Sequence, residues 1–509
     1  MSTPRERIVA AVPRRVRGVV RRRRTTVEES LPPAFEQSEA LLQDPLLMLR
    51  RAETALVRAD LAEPDVLRLA ELDRLRYTLS LARLTVFDVG RRTVDLTDRG
   101  VAFRARVVRE LCEPLLVVRD PHARLTLARK LLESLGDAPV EQRQLLLDAG
   151  RCSADELDAE LTQRVLTLVL GGGAGAGHVY LGALAELADA GILPSYVMGT
   201  SIGSMYGSMF TRAAKPDLDQ MRAFAHGLTL GAVVAAPRRT RRHGMPGMFS
   251  LMLEDTLGPM LHNSSGPPLR MRDTPIPFEA VVAGVRQSAF DSLPSRFRHA
   301  EISRLSAMSR GGIARGAAFT SRMWQVGAFF DSRVAKPIVF GADGLTQDMR
   351  VLDAVGFSCA VPGVLHYESA AIEERPALDR LLREKEVRAL VDGGVTSNVA
   401  IELAWRRVQD GRLGTRNSVL VAFDCFQPQW DSRHLWLTPI TQSLQVQMVR
   451  NAPFADWIRR FSPTLGVLDL VPGPERFRRA EQWGRASIQP DLPLITKLLS
   501  PSPWHHSAL

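Results

Sequence analysis

The stretch from residue 165 to residue 210 most constrains what this chain can fold into. A short apolar run over residues 165–170 leads into a loop with five glycines among the seven residues 171–177. A helix-like segment and a second apolar run follow, and that run ends in GTSIG at residues 199–203. The order predicts strand, glycine loop, helix, strand, serine turn and helix. Such a βαβ unit has a right-handed crossover, so both loops would open at the carboxyl ends of parallel strands.

The serine turn has the pattern G-x-S-x-G, in which Ser201 stands between Gly199 and Gly203. Small flanking residues allow a strained turn from strand to helix, which lifts the hydroxyl clear of the sheet. We therefore predict that Ser201 is a nucleophile and that Gly199 and Gly203 form its elbow. The alternative is a tight strand-to-helix turn with an incidental serine.

The glycine loop is compatible with two chemistries. Its backbone N–H groups can stabilise the charge that develops on an attacked carbonyl, because glycine lets the main chain approach a substrate closely. The loop also fits a dinucleotide fingerprint, but the next strand should then end in an acidic residue. Here that strand runs straight into Ser201, which favours an oxyanion hole. The predicted donors are Gly171, Gly172, Gly173, Gly175 and Gly177.

A serine nucleophile needs a base, and Asp392 is the candidate. It ends a short apolar run and precedes two glycines, a turn that can present a carboxylate into a crevice. An Asp-Gly-Gly sequence alone is usually only a turn. The alternative is the histidine of an α/β-hydrolase triad, although no histidine after the serine stands at a recognisable strand end. These histidines include His366, His434, His505 and His506.

Taken in order, these motifs resemble those of the patatin-like phospholipase family, which are lipid acyl hydrolases of bacteria and plants. The resemblance runs from about residue 165 to at least residue 423, and we expect it to continue to about residue 499. It rests on five segments in family order: GGGAGAG before a helix, GTSIGS at the elbow, PIPFEAVVAG, GFSCAVPGVLHY and VDGGVTSN.

The resemblance implies a three-layer α/β/α fold and a Ser–Asp dyad that works without histidine. Ser201 would attack an ester carbonyl, Asp392 would take its proton, and water would hydrolyse the acyl-enzyme. It implies no metal and no organic cofactor. The expected substrates are phospholipids or lysophospholipids, with neutral glycerolipids next.

Two positions depart from the family pattern. Ala176 stands where family members usually have arginine or lysine in the glycine loop, so a positive charge near the oxyanion or a phosphate is missing. Ala400 replaces a proline two places after Asn398, a change that we expect to be structural and mild. Ala176 motivates the main alternative function, a patatin-fold protein that binds lipid or a partner with little catalysis.

At 509 residues the chain exceeds the roughly 250–300 residues at which single cores stop growing. We predict a basic arm over residues 1–32, a helical domain over 33–160, the hydrolase domain over 161–500 and a tail over 501–509. Apolar residues at three- and four-residue spacing support the helical prediction.

The net charge of +10 is concentrated at the amino terminus, where residues 1–24 hold nine arginines and one glutamate. Such an arm is attracted to anionic surfaces. We expect a membrane surface as its partner, and no nucleic acid. The alternative is a disordered, solubilising tail.

The cysteines are scattered without C-x-x-C spacing, which indicates reduced thiols and neither a metal site nor a disulfide framework. They are Cys112, Cys152, Cys359 and Cys425. No apolar run near the start is long enough for a signal peptide or a membrane span. We therefore expect a cytoplasmic protein that is peripheral at the membrane.

Overall fold

The structure is a computed structural model, and it describes residues 41–236, 242–262, 266–290, 327–426 and 438–503. The arm predicted over residues 1–32 lies outside these ranges, as does most of the tail predicted over residues 501–509.

The first described part of the chain is helical, apart from a hairpin of β1 (Val86–Val89) and β2 (Arg92–Asp95). The first helix starts at a side-chain cap, where the Asp44 carboxylate accepts from the N–H groups of Leu46 and Leu47 at 2.8 and 3.2 Å. The helices are α1 (Pro45–Ala62), α2 (Leu69–Arg83), α3 (Thr97–Val107), α4 (Glu113–Val117), α5 (Pro121–Leu135), α6 (Ala138–Asp148) and α7 (Ala154–Thr162).

These helices bury a hydrophobic cluster of their own, whose members run from Met48 to Leu161. The predicted division of the chain at residue 160 stays a prediction.

The second part is built on a seven-stranded sheet in which five neighbouring strands are parallel and two are antiparallel to β7. Its path is β10-β7-β4-β3-β11-β12, and β8 also pairs with β7. The strands are β3 (Val165–Leu170), β4 (Tyr196–Thr200), β7 (Phe278–Arg286), β8 (Ala335–Phe340), β10 (Val387–Asp392), β11 (Ser418–Asp424) and β12 (Trp457–Arg460).

Alternate residues of the central strands point to opposite faces, as the period of two in a strand requires. On β11, Val419 and Val421 pack into one hydrophobic cluster while Leu420 and Ala422 pack into another. Helices cover both faces, so β3 and β11 are buried on both sides, and their side chains are apolar except for Thr167, Ser418 and Asp424. This confirms the predicted three-layer α/β/α fold.

The covering helices and a small second sheet complete the architecture. The small sheet pairs β5 (Val234–Ala235), β6 (Gly247–Leu251) and β9 (Gly363–His366). The helices are α8 (Val179–Asp189), α9 (Ile202–Thr211), α10 (Leu218–Gly227), α11 (Leu230–Val233), α12 (Gln287–Phe290), α13 (Val351–Ser358), α14 (Arg375–Glu384), α15 (Gly394–Ser397), α16 (Ile401–Gln409), α17 (Thr438–Asn451), α18 (Pro474–Ile488) and α19 (Leu492–Leu499).

One edge of β7 carries two strands end to end. β4 pairs with residues 278–281 and β10 with residues 282–286, while β8 overlaps both of these ranges. Because a strand has two edges, β8 must occupy the opposite edge, and β4 and β10 share the other one. β4 runs parallel to β7 and β10 antiparallel, so their carboxyl ends meet head on, Thr200 beside Val281 and Asp392 beside Val282.

A buried ionic cluster joins the helical part to the sheet. The Glu53 carboxylate on α1 contacts Arg164 at 2.7 Å, Arg83 at 2.8 Å and Arg76 at 3.1 Å. Burial would raise the pKa of Glu53, but the three guanidinium groups outweigh it and lower the pKa from 4.5 to about 2. Arg76 also donates to the carbonyl groups of Leu498 and Ser500, both at 3.0 Å.

We predict that Glu53→Gln lowers the free energy of unfolding at pH 7 by about 3–5 kcal/mol, because it leaves buried guanidinium groups uncompensated. The pKa of Glu53 is lowered in the folded state, so its contribution is present above pH 4.5 and is lost as the pH falls toward about 2. Denaturant titrations should show the gap between wild type and variant closing over that window. Glu384→Gln, in an exposed pair with Arg380, is the control and should change little. A gap that does not depend on pH would contradict the assignment.

Candidate active site

Ser201 lies on the turn between β4 and α9 with φ of +52° and ψ of −126°. This left-handed conformation is strained for a residue with a Cβ, and such strain is typical of functional turns. Only glycine fits on either side: a Cβ on Gly199 would lie 2.5 Å from the Cα of Ser204, and one on Gly203 would lie 2.2 Å from the Leu170 carbonyl oxygen. The turn therefore requires the G-x-S-x-G pattern found in the sequence.

Asp392 ends β10 and is brought to Ser201 by the head-on meeting of β10 with β4. The side chain is buried, and its Oδ1 accepts from the N–H of Gly394 at 2.7 Å. Burial raises the pKa of Asp392 from 3.8 to about 6, although hydrogen bonds from the Ser201 side chain and the Gly394 N–H oppose the rise. The site thus holds a hydroxyl next to a carboxylate that titrates near neutral pH.

The segment from Ser358 to Ala360 accepts hydrogen bonds from the backbone N–H groups of both Ser201 and Asp392. The Ser201 N–H donates to Ser358 Oγ at 2.8 Å, and Ser358 Oγ in turn donates to the Val281 carbonyl at 2.6 Å. The Asp392 N–H donates to the Ala360 carbonyl at 2.8 Å. The sequence motif that contains this segment, GFSCAVPGVLHY, does not reveal these hydrogen bonds, since they depend on residues distant in sequence.

Most N–H groups of the glycine loop are already used inside the protein. Three of them donate over 3.0 to 3.1 Å: Gly171 to the Phe423 carbonyl, Gly172 to that of Asn398 and Gly175 to that of Val467. Gly177 lies within a 3₁₀ helix, Ala174–His178, where a Cβ would meet Ile202.

Two further N–H groups of the loop, those of Gly173 and Ala174, have no acceptor among the described residues. Both residues line a pocket with Ser201, and Ala174 has a φ of +48°. Of the five glycines predicted as donors, the geometry thus favours Gly173, with Ala174 as its neighbour. Ala174 was not predicted, because its left-handed backbone cannot be read from an alanine.

Two apolar pockets open on Ser201. The Asp392 pocket has an empty volume of about 560 Å³ including the part open to solvent. The Met205 pocket has about 680 Å³ on the same measure. The Asp392 pocket is lined chiefly by Asp392, Phe330, Val395, Phe426, Ile440 and Leu444. The Met205 pocket is lined chiefly by Met205, Phe224, Leu228, Val233, Leu251 and Leu253.

None of the described residues that line these pockets is a histidine. His366, a candidate for a triad, is buried elsewhere and bonds the Met245 carbonyl through Nδ1 at 2.8 Å. His434, His505 and His506 lie outside the described residues.

The two residues that depart from the family pattern, Ala176 and Ala400, are both buried. Ala176 is 2% exposed and packs into the core against the sheet, so no positive charge enters the loop at this position. Ala400 is fully buried at the start of α16, which is compatible with a mild structural role.

Within the described ranges, no three His, Cys, Asp or Glu side chains gather as a metal site would need. The four cysteines are free thiols. None of the helices in these ranges has both the length and the apolar character needed to cross a membrane.

The structure thus places a serine on a sharp turn after a parallel strand, beside a buried carboxylate, and such a pair can support nucleophilic catalysis. Residues 168–405 match the family model of patatin-like phospholipases. The chain therefore contains a patatin-like phospholipase domain, and this domain supports, in general terms, a lipid acyl hydrolase. A search of curated proteins gave no match.

The raised pKa of Asp392 predicts a stability cost at the site. A carboxyl whose pKa is raised on folding stabilises the protein below pH 3.8, and this contribution is lost as the pH rises to about 6. Asp392→Asn has no such loss, so at pH 8 it should be more stable than the wild type by about 2–3 kcal/mol. Denaturant titrations between pH 4 and pH 8 measure the difference, with Asp255→Asn as the exposed control. A variant less stable than wild type at pH 8 would refute this prediction.

Proposed function

We propose that the protein is a serine acyl hydrolase of lipid esters, of the phospholipase or lysophospholipase type, in which Ser201 is the nucleophile and Asp392 is the general base. The main support is the position of the strained Ser201 turn beside the buried Asp392 carboxylate. Two strands that meet on one edge of β7 bring these residues together. Strain at a turn of this kind is kept where it exposes a reacting group.

In the proposed first step, Ser201 Oγ attacks the ester carbonyl carbon while its proton passes to Asp392. The carbonyl oxygen becomes an oxyanion and accepts hydrogen bonds from the N–H groups of Gly173 and Ala174. The C–O bond to the alcohol then breaks, and the leaving oxygen takes the proton from Asp392. The products of this step are an alcohol and an acyl-enzyme.

In the second step, Asp392 takes a proton from water as the water oxygen attacks the acyl carbonyl. The bond to Ser201 Oγ breaks, the serine recovers its proton, and a carboxylic acid is released. A base that titrates near the operating pH is well suited to both transfers, and the pKa of Asp392 at about 6 meets this condition.

Substitution of either residue should abolish turnover. We expect Ser201→Ala and Asp392→Asn to lower kcat/KM for nitrophenyl butyrate by at least about 10³-fold, since both transfers in each step are lost. For the wild type, kcat/KM should rise with pH through an apparent pKa near 6, because Asp392 must be ionised to act as a base. A fluorophosphonate should label the wild type and not Ser201→Ala.

Other outcomes identify the competing functions. Unchanged turnover in Asp392→Asn, with loss on substitution of one histidine, would point to a triad. No labelling and no turnover on any ester would favour a lipid- or partner-binding protein, the alternative that Ala176 supports. Turnover of acylglycerols in preference to phospholipids would favour a neutral glycerolipid lipase.

We also propose that the arginine-rich arm brings the enzyme to anionic membranes as a cytoplasmic, peripheral protein. The support is the concentration of nine arginines within residues 1–24, since each basic residue near an anionic bilayer contributes about 1 kcal/mol.

Removal of residues 1–30 should therefore weaken binding to vesicles that contain phosphatidylserine, and added salt should weaken binding of the full chain in the same assay. Cosedimentation measures both effects, and vesicles of phosphatidylcholine alone are the control. Equal binding with and without the arm would contradict membrane targeting.

A further inference from the structure

The two apolar pockets meet at the proposed nucleophile. Ser201, Ala174 and Val361 line both the Asp392 pocket and the Met205 pocket, so these three residues form the boundary between them. An ester carbonyl at Ser201 Oγ has two substituents, the acyl chain and the alcohol. One pocket on each side of the hydroxyl gives each substituent its own place.

The proton transfers determine which pocket holds the acyl chain and which holds the alcohol. In the mechanism proposed above, the leaving alcohol oxygen must take its proton from Asp392, so this oxygen has to lie within hydrogen-bond reach of that carboxylate. Asp392 lines one of the pockets and not the other. The alcohol therefore belongs on the side of the Asp392 pocket, and the acyl chain extends into the Met205 pocket.

The walls of the Asp392 pocket are suited to a hydrocarbon chain rather than to a polar headgroup. Apart from Ser201, Asp392 and Asn398, its described side chains are apolar, with Phe330, Phe426 and Leu444 among them. Ile440 and Leu444 are each 6% exposed and belong to the same hydrophobic cluster as Val395. An alcohol without a hydrocarbon chain would leave these walls unpacked and would lose its water there without gaining partners.

The Met205 pocket is equally apolar. Among its described residues, Thr256 and Cys359 are the polar or polarisable side chains beside Ser201, and the rest are hydrocarbon or aromatic. Leu251 comes from β6 and Leu365 from β9, so the small sheet forms one wall. Phe224 of α10 and Val233 of α11 line the pocket as well.

We propose that the site is specific for lipid esters with two hydrocarbon chains, with the acyl chain in the Met205 pocket and a chain on the leaving alcohol in the Asp392 pocket. This inference rests on the proposed function and narrows its substrate class. Diacyl lipids are substrates of this kind, because the alcohol released still carries the second chain. Monoacyl lysolipids release an alcohol with no hydrocarbon chain, so they leave the Asp392 pocket unfilled.

Two isomeric esters separate the pockets. Butyl dodecanoate has a long acyl chain and a short alcohol, and dodecyl butanoate has the reverse. Val233→Trp narrows the Met205 pocket, and Leu444→Trp narrows the Asp392 pocket. We expect Val233→Trp to shift the ratio of kcat/KM for the two esters about tenfold or more toward dodecyl butanoate, and Leu444→Trp to shift it as far toward butyl dodecanoate.

Val233→Ala and Leu444→Ala enlarge the same two pockets and are matched to the tryptophan variants. They are measured instead if a tryptophan variant does not fold. Each should weaken the preference of the wild type for a long chain in its own pocket. Shifts in the same direction for both tryptophan variants, or in the directions opposite to those expected, would overturn the assignment.

A second comparison uses natural lipid classes. The wild type should hydrolyse dioleoyl phosphatidylcholine with a higher kcat/KM than its monoacyl lysolipid, both presented in mixed detergent micelles. Preference for the lysolipid would overturn the two-chain specificity. Turnover of nitrophenyl butyrate distinguishes a failure of the two-chain specificity from a failure of the proposed function. If the wild type hydrolyses this ester and Ser201→Ala does not, the proposed function stands whatever the results with the two isomeric esters and the lipids.

Discussion

The site depends on one constraint in the sheet, the sharing of one edge of β7 by two strands that run toward each other. A strand edge offers a single row of hydrogen-bonding groups, so β4 and β10 can occupy it together only if one ends where the other ends. The registers put that boundary between Val281 and Val282. A serine that follows the first strand and an aspartate that ends the second are thereby brought together by backbone pairing, before any side chain contributes.

This arrangement costs stability in two ways that the rest of the fold offsets. Ser201 is held in a backbone conformation that residues with a Cβ avoid, and Asp392 is buried where its ionised form is poorly solvated. The segment Ser358–Ala360 supplies fixed partners to both backbones. Active sites are commonly less stable than they would be without their reacting groups. Here the loss of stability arises at Ser201 and Asp392, which are neighbours in space.

The features that could be predicted from the sequence are those that depend on a few neighbouring residues. Glycine spacing around Ser201 and the apolar runs of β3 and β4 predicted strand, turn and helix, because strand period and turn chemistry act over a few residues. The antiparallel direction of β10 could not be predicted this way, since pairing with β7 is set by tertiary packing. For the same reason the sequence could not separate the loop N–H groups that bond Asn398 and Val467 from that of Gly173, which has no acceptor among the described residues.

The ionic cluster at Glu53 has a consequence for the growing polypeptide on the ribosome. The amino-terminal helices have a hydrophobic cluster of their own and can collapse early, but the carbonyl partners of Arg76, at Leu498 and Ser500, are synthesised 422 and 424 residues later. The Arg76 guanidinium therefore lacks these two acceptors until that distant segment has been synthesised. The hydrogen bonds that join the amino-terminal helices to residues 498–500 can form only after that point in translation.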